Sequence, residues 1–222
     1  MLDRFDRRVL AEPALEFVRA CQRRSPCRLG GGAALAGAWL AHRQSRDLDL
    51  FFRDRSQLRD LVRGLSSAAA EVGGKARTVR DAGDFVRARL ELEGLKREVD
   101  LVLDTLPDSE PEPPPLERVV LVPFADLRAS KLTCLLSRAE PRDLVDVMFL
   151  DRAGHPPESD LSCAAQKDAG LDPGVLSWLL TQFPVEPLPA MLVPITIDGL
   201  AAYRDSLAER LKALVVNSGS QK

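Results

Sequence analysis

Residues 29–52 read LGGGAALAGAWLAHRQSRDLDLFF, and this stretch decides the fold. Its last six residues, DLDLFF at 47–52, alternate acidic and apolar side chains and end in two phenylalanines, which predicts a short β-strand. Because successive side chains of a strand point to opposite faces, Asp47 and Asp49 should project together while the leucines beside them are buried. Two carboxylates on a rigid strand suit Mg²⁺, which usually binds one or two protein carboxylates and leaves its other positions to water and phosphate.

A glycine-rich turn at residues 30–32 lies upstream of the predicted strand. Since glycine has no Cβ, its backbone amides can approach a triphosphate closely. The small residues at 33–41 predict a closely packed helix, and Ser45 adds a hydroxyl two residues before Asp47. A solvated D-x-D pair at a strand edge is the alternative interpretation, but the upstream glycines, the intervening helix and the apolar strand favour a functional site.

The surrounding pattern predicts an α/β (α+β) fold with a mixed sheet flanked by helices. Apolar spacing behind Pro13 indicates a helix ending near residue 25, and Ser56 is the expected N-cap of a second helix that reaches about residue 72. Connections between the strands that follow are short, so these neighbours should be antiparallel. Three such strands, separated by glycine-containing turns, are predicted at 76–81, 85–92 and 96–104.

Residues 107–117, PDSEPEPPPLE, are rich in proline and acid and predict a surface linker. We therefore expect an α/β domain at 1–106 and a helical domain at 118–222, with the active site in the cleft between them. The tail NSGSQK is expected to be frayed. Helices of the second domain are predicted at 123–138, 142–152, 161–169, 173–183 and 198–216.

Composition excludes several classes of protein. The 222 residues are 45% hydrophobic and 29% charged, which argues against disorder over the whole length, and no run is apolar enough for a membrane span. Four cysteines without a C-x-x-C pair and two distant histidines argue against a disulfide framework, a zinc site or a Ser-His-Asp triad, so a cytoplasmic protein is expected. A net charge of −2 does not by itself indicate nucleic acid.

Two motifs carry a family resemblance. G-G-x-A-L-A at 31–36 and H-R-x-S-x-D-L-D-L-F at 42–51 resemble the core of polymerase-β-like nucleotidyltransferases and, more narrowly, of the AbiEii/AbiGii toxin family. Downstream, the K-L pair at 131–132, Arg138 and the R-D-L-V-D-V run at 142–147 resemble that family's K-L … R … R-D-L-x-D-L pattern. Together these matches span roughly residues 29–152, in the expected order.

The resemblance implies Mg²⁺-dependent (or Mn²⁺-dependent) transfer of a nucleotidyl group from an NTP to an acceptor hydroxyl, with RNA such as tRNA as the acceptor for some members. It also implies a cognate antitoxin as protein partner. Asp47 and Asp49 would be the catalytic, metal-binding pair, Lys131 would meet the triphosphate, and Asp146 (or Asp143) would be the distal carboxylate. Nucleotide contacts are assigned to Gly31, Gly32, Arg43, Ser45 and Arg138.

Asp100 is a candidate third metal ligand, because an acid in the middle of an apolar strand is costly without a partner; an edge-strand acid exposed to water is the alternative. Lys131 and Arg138 are seven residues apart and share one helix face, either at the β- and γ-phosphates or in solvent. Two other functions are open. One is a non-catalytic nucleotide- or RNA-binding member of the fold, and the other is a toxin–antitoxin interaction protein.

Overall fold

A computed structural model describes residues 1–219 and shows two compact units, one from Met1 to Pro123 and one from Phe124 onward. The first unit is mixed α/β and the second is helical, which confirms the predicted fold class. Residues 220–222 of the tail that was expected to be frayed lie outside the described residues. No helix within residues 1–219 is both long and apolar enough to cross a bilayer.

The first unit begins with helix α1, Glu12–Arg24, whose first turn contains Pro13 as predicted. The expected helix at 33–41 is instead a short α-helix continued by a π-helical turn that ends at Ala41 in the left-handed conformation. The expected N-cap Ser56 is also replaced, since the Asp54 carboxylate accepts the Ser56 N–H at 2.6 Å. In chain order the elements after α1 are β1 (Arg28–Gly30), α2 (Gly31–Ala34), the π-helix (Leu35–Leu40), β2 (Asp47–Phe52), α3 (Arg55–Glu71), β3 (Lys75–Asp81), β4 (Phe85–Leu92) and β5 (Leu95–Leu103).

The five strands form one mixed sheet in the order β1-β2-β5-β4-β3. β3, β4 and β5 are antiparallel neighbours, as their short turns predicted. β5 lies parallel to β2, since the chain between them passes through α3 and the β3–β4 hairpin. The three-residue strand β1 was not predicted, and it pairs antiparallel with β2 so that Gly30 lies opposite Asp49.

The two faces of this sheet differ in polarity. Along β2, Leu48, Leu50 and Phe52 are fully buried, while the residues between them are half-buried. On β4, Val86 and Ala88 are buried in the same alternating way. The buried face packs on α3, which contributes a stripe of leucines at helical spacing. The opposite face is therefore the one that presents Asp47 and Asp49.

The segment 107–117 belongs to the first unit and is held there by ion pairs. Arg28 contacts both carboxylate oxygens of Asp108, at 2.9 and 2.8 Å. Arg7 donates to the two carboxylate oxygens of Glu117 through two separate nitrogens, at 2.9 and 3.0 Å. The division between the two units follows Pro123 rather than this proline-rich segment.

The second unit is a set of helices around one apolar core, whose largest buried members are leucines together with Met148 and Phe183. Residues 217–219 of the expected frayed tail belong to its last helix. The helices are α4 (Phe124–Ser137), α5 (Pro141–Arg152), a 3₁₀ turn (Pro157–Asp160), α6 (Leu161–Lys167), α7 (Pro173–Leu180) and α8 (Ile197–Gly219).

The buried face of β2 should dominate the stability of the first unit. Leu50→Ala removes a side chain with no solvent exposure and should lower the free energy of unfolding by about 2–5 kcal/mol, because the site cannot fully collapse around the cavity. Val79→Ala on β3 is the control, since Val79 is 40% exposed. Urea denaturation checks both variants, and equal midpoints for the two would contradict the assignment of this core.

Candidate active site

Asp47 and Asp49 lie on β2 at two half-buried positions on the polar face of the sheet. The fully buried Leu48 between them fixes the register of the strand, because a slip by one residue would exchange the two faces. The structure therefore places both carboxylates on the same side, as the sequence alternation predicted.

Gly31 brings backbone directly against this pair. Its φ is +58°, a conformation that residues with a Cβ rarely adopt. A Cβ added at Gly31 would lie 1.8 Å from Asp49 Oδ2 and 2.5 Å from Asp49 Cγ. The pairing of β1 with β2 places residue 31 next to the carboxylate of Asp49. Position 31 therefore requires glycine, both because there is no room for a Cβ and because of its positive φ.

Gly32 lies beside two more of the predicted nucleotide-binding residues. A Cβ there would lie 2.7 Å from Arg43 Nη2 and 3.3 Å from Ser45 Oγ. Arg43 and Ser45 are both buried, with exposed fractions of 3% and 8%. The first unit thus gathers Gly31, Gly32, Arg43 and Ser45 around the carboxylate pair.

Arg97, which sequence reasoning missed, supports this loop from β5. Its guanidinium donates to the carbonyl of Ser45 at 2.6 Å and to the carbonyl of Val9 at 3.3 Å. Burial lowers the pKa of Arg97, while the negative charge of Asp47 acts in the opposite direction. The only sequence signal was an arginine in the middle of an apolar strand pattern.

Asp100 lies in register with Asp49 on the neighbouring strand β5, so the structure brings this third carboxylate into the same row. Asp100 is buried, and its two oxygens accept hydrogen bonds from Arg87 at 2.8 and 2.7 Å. These hydrogen bonds raise the pKa of Arg87. Asp100 therefore avoids the cost of an unpaired buried acid through a guanidinium, and its role as a metal ligand stays a prediction.

The carboxylates of Asp47 and Asp49 are by themselves a suitable donor set for a divalent cation. Within residues 1–219 no group of three or more His, Cys, Asp or Glu side chains is arranged to hold a metal. Two carboxylates nevertheless meet the usual protein contribution to a Mg²⁺ site, and Mg²⁺ keeps its remaining ligands from water and phosphate. Asp47 and Asp49, beside a glycine backbone, are the residues that would hold it.

In the second unit the four predicted residues form one buried ion-pair cluster. Lys131 Nζ lies 3.1 Å from Asp143 Oδ1 and 2.8 Å from Asp146 Oδ2. Arg138 binds Asp143 through two nitrogens, at 2.9 and 3.1 Å. Both carboxylates are fully buried and Lys131 is 4% exposed. Helix α4 supplies the lysine and α5 the aspartates, three residues apart on one face.

Among these four residues the charges balance, with two cations against two anions. Balance matters because an unpaired charge in a protein interior is strongly destabilising, whereas a satisfied pair is tolerated. Burial is the largest single effect on the pKa of Arg138 and lowers it, but the hydrogen bonds to Asp143 and the nearby negative charges together outweigh it, so the net shift is upward. The predicted role of Lys131 at the triphosphate stays a prediction; the structure shows its ammonium shared between two carboxylates.

The family can be assigned from the sequence match. The model of the family described as "Nucleotidyl transferase AbiEii toxin, Type IV TA system" matches residues 18–213. The chain belongs to the AbiEii nucleotidyltransferase toxin family. The matched range includes both the carboxylate pair of the first unit and the ion-pair cluster of the second. A comparison with curated proteins finds no match.

Solved structures agree with the fold of this AbiEii-family protein. MenT4, a nucleotidyltransferase toxin from Mycobacterium tuberculosis H37Rv, aligns with 90% of this chain and 82% of its own, with a TM-score of 0.57 and 16% identity. JHP933 from Helicobacter pylori aligns with 96% of this chain and 97% of its own, with a TM-score of 0.57 and 17% identity. At such identities the likeness concerns the fold alone.

Gly31→Ala tests the contact between backbone and carboxylate. The added methyl group should displace the Asp49 side chain and lower nucleotidyl transfer at least about a hundredfold, because the displaced carboxylate would no longer hold the cation. Gly83→Ala is the matched control, because Gly83 has φ +87° with nothing within 4 Å of an added Cβ. Both variants should lose similar thermal stability; equal losses of transfer would show that strain alone explains the effect.

Lys131→Met tests the buried cluster. Removing the ammonium breaks the ion pairs of Lys131 with two fully buried carboxylates, of which Asp143 keeps Arg138, and should lower the free energy of unfolding by about 3–5 kcal/mol. Lys212→Met is the control, because Lys212 is exposed and pairs only with exposed Glu209, at 3.6 Å. Denaturation curves that coincide for the two variants would rule out a structural role for the cluster.

Proposed function

We propose that this protein moves an NMP from an NTP to an acceptor hydroxyl on RNA, such as tRNA, with Mg²⁺ or Mn²⁺ as cofactor. The observation that carries the proposal is the contact of the Gly31 backbone with Asp49, on a strand that also carries Asp47. Two neighbouring carboxylates can bind a cation, and the glycine backbone beside them is a surface that a triphosphate can approach closely. Membership of the AbiEii family supplies the reaction class.

Asp47 and Asp49 hold the divalent cation in this proposal. The chemistry that Mg²⁺ supplies when bound is screening of phosphate charge and a more acidic acceptor hydroxyl. Gly31 and Gly32 let the triphosphate approach the backbone, and the guanidinium of Arg43, beside Gly32, adds positive charge there. Ser45 has its carbonyl fixed by Arg97, which keeps its hydroxyl near the same glycine.

Lys131 and Arg138 keep the role that the family motif gives them, which is to offset charge on the leaving pyrophosphate. Asp143 and Asp146 bind the lysine ammonium, so they orient it and reduce its net charge at the same time. We propose that Asp146 is the distal catalytic carboxylate and that Asp143, which also binds Arg138, is the structural one.

The reaction is tested by labelling. The protein is incubated with each α-labelled NTP, Mg²⁺ and total cellular RNA, and the RNA is then separated by size. Label in one RNA class is the expected result. NTP binding without a labelled product would instead identify a non-catalytic nucleotide-binding member of the fold.

A toxin role also implies a protein partner, since the family belongs to type IV toxin–antitoxin systems. We propose that the chain works in the cytoplasm and that a cognate antitoxin relieves its effect there. Induction of the chain alone should arrest growth, and co-expression of its cognate antitoxin should restore it. Growth that is unaffected by the active enzyme would contradict the toxin role and leave the transfer reaction standing.

Asp47→Asn and Asp49→Asn test the catalytic pair. Each removes one negative charge from a half-buried site, so folding should persist while transfer falls at least about a hundredfold, with the cation no longer held. Asp84→Asn is the control, because Asp84 is exposed and pairs with exposed Arg55 in the first unit. Transfer is measured with labelled NTP and folding by thermal melting. Wild-type transfer by either pair variant would refute the assignment.

A further inference from the structure

The polar face of the sheet is divided into an acidic half and a basic half. One row across the strands runs Asp49, Asp100, Arg87, Arg80, from β2 through β5 and β4 to β3. The next row runs Asp47, Glu98, Arg89, Arg77 over the same four strands. Carboxylates thus occupy β2 and β5, and arginines occupy β4 and β3.

A β-bulge completes the basic half. The register between β3 and β4 shifts between Thr78 and Arg80, so Val79 is an extra residue on β3. Without it, Arg77 and Arg80 would point to opposite faces, because they are three residues apart. The bulge places both opposite arginines of β4 and hence on one face.

Three of these arginines differ from most other arginines of the chain in their ion pairing. Arg77, Arg80 and Arg89 are exposed, and none has a carboxylate within 4.0 Å in the described part of the chain. The guanidinium carbon of Arg80 lies 5.9 Å from the centroid of the Phe85 ring. Elsewhere arginines commonly bind acids, as Arg19, Arg28, Arg59, Arg128 and Arg210 do.

This arrangement costs stability. Arg77 lies directly opposite Arg89, and Arg80 lies directly opposite Arg87. Like charges at directly opposed positions of antiparallel strands repel each other and destabilise the sheet. Arg87 has its charge offset through ion pairs with Asp100 and Glu98, and Glu98 also lies directly opposite Arg89 on β5. The exposed like-charge pair of Arg77 and Arg89, together with exposed Arg80, points to a polyanionic ligand that compensates for the repulsion in a chain of net charge −2.

A cavity connects the basic half to the catalytic pair. It has a volume of about 380 Å³ and belongs entirely to the first unit. Asp47 and Arg89 both line it, and the rest of its lining combines cations with the acids Glu91 and Glu98: Arg46, Glu91, Lys96, Arg97 and Glu98. A chain of phosphates lying on the arginines can therefore continue along this cavity to the carboxylates of β2.

We infer that Arg77, Arg80 and Arg89, here called the arginine face, bind the phosphate backbone of the acceptor RNA and lead its reactive end toward Asp47 and Asp49. This inference rests on the proposed function, since it takes the acceptor to be RNA. Guanidinium groups suit phosphate because they offer planar, paired donors that remain charged at any physiological pH. Arg87 holds Asp100 and is a positioning residue.

The test uses the full-length chain and measures binding apart from catalysis. A triple variant, Arg77→Gln, Arg80→Gln and Arg89→Gln, is compared with a control triple variant, Arg4→Gln, Arg63→Gln and Arg152→Gln. The control arginines are exposed, lie outside the sheet and give the same change in net charge. Fluorescence anisotropy follows a labelled tRNA transcript at several salt concentrations, without NTP or divalent cation.

The triple variant of the arginine face should bind the transcript at least about tenfold more weakly than the wild type. The slope of its log affinity against log salt concentration should be smaller in magnitude by about two. The control triple variant should stay within about twofold of the wild type. The melting temperature of the face variant should be unchanged or higher, because the opposed like charges are relieved. Arg77→Glu should melt higher still and bind RNA worse than Arg77→Gln, since a glutamate there attracts Arg89.

Equal RNA affinities for the two triple variants would overturn the inference. So would loss of a co-purifying partner protein at unchanged RNA affinity, which would make the surface a protein interface. A wild-type protein that binds RNA through these arginines but transfers nothing would refute the proposed function and leave the arginine face in place. Active transfer into RNA with unchanged binding by the triple variant would refute the arginine face alone.

Discussion

The close approach of the Gly31 backbone to the Asp49 carboxylate is the constraint on which the rest of the first unit depends. It requires a residue without a Cβ, in a left-handed conformation, at the point where β1 passes into α2. It also requires β1 to pair with β2 in one register, because only that register places Gly30 opposite Asp49. The buried leucines of β2 maintain the register from the other face of the sheet.

Arginine is the second recurring element, and it acts in two ways. Arg87 and Arg138 neutralise buried aspartates, and this lowers the free-energy cost of burying a carboxylate at a fixed position. Arg77, Arg80 and Arg89 form no ion pair with a carboxylate within residues 1–219, and Arg77 lies opposite the like charge of Arg89. An arginine-rich composition alone explains neither pattern, because the distinction is made by strand register and not by residue frequency.

The sequence was informative where one face of an element is buried. The strand at 47–52 and its paired aspartates follow from alternation with leucine, and the antiparallel strands follow from short glycine turns. β1 was not predicted because three residues are too few to show an alternating pattern. The π-helical turn was not predicted because its small residues are equally compatible with an α-helix. The Arg87 partner of Asp100 could not be predicted either, since spacing shows which residues share a face but not which charges meet across elements.

The division of one sheet face into acidic and basic halves also resolves an electrostatic difficulty of the proposed reaction. A site with two carboxylates repels a polyanionic acceptor, and a cation held by Asp47 and Asp49 offsets that repulsion only nearby. Arginines on β3 and β4 attract the acceptor at the far end of the same face, while Arg87 between the halves stays bound to Asp100. The acceptor and the nucleotide can therefore be held by separate parts of a single sheet, and the register of four strands sets the distance between them.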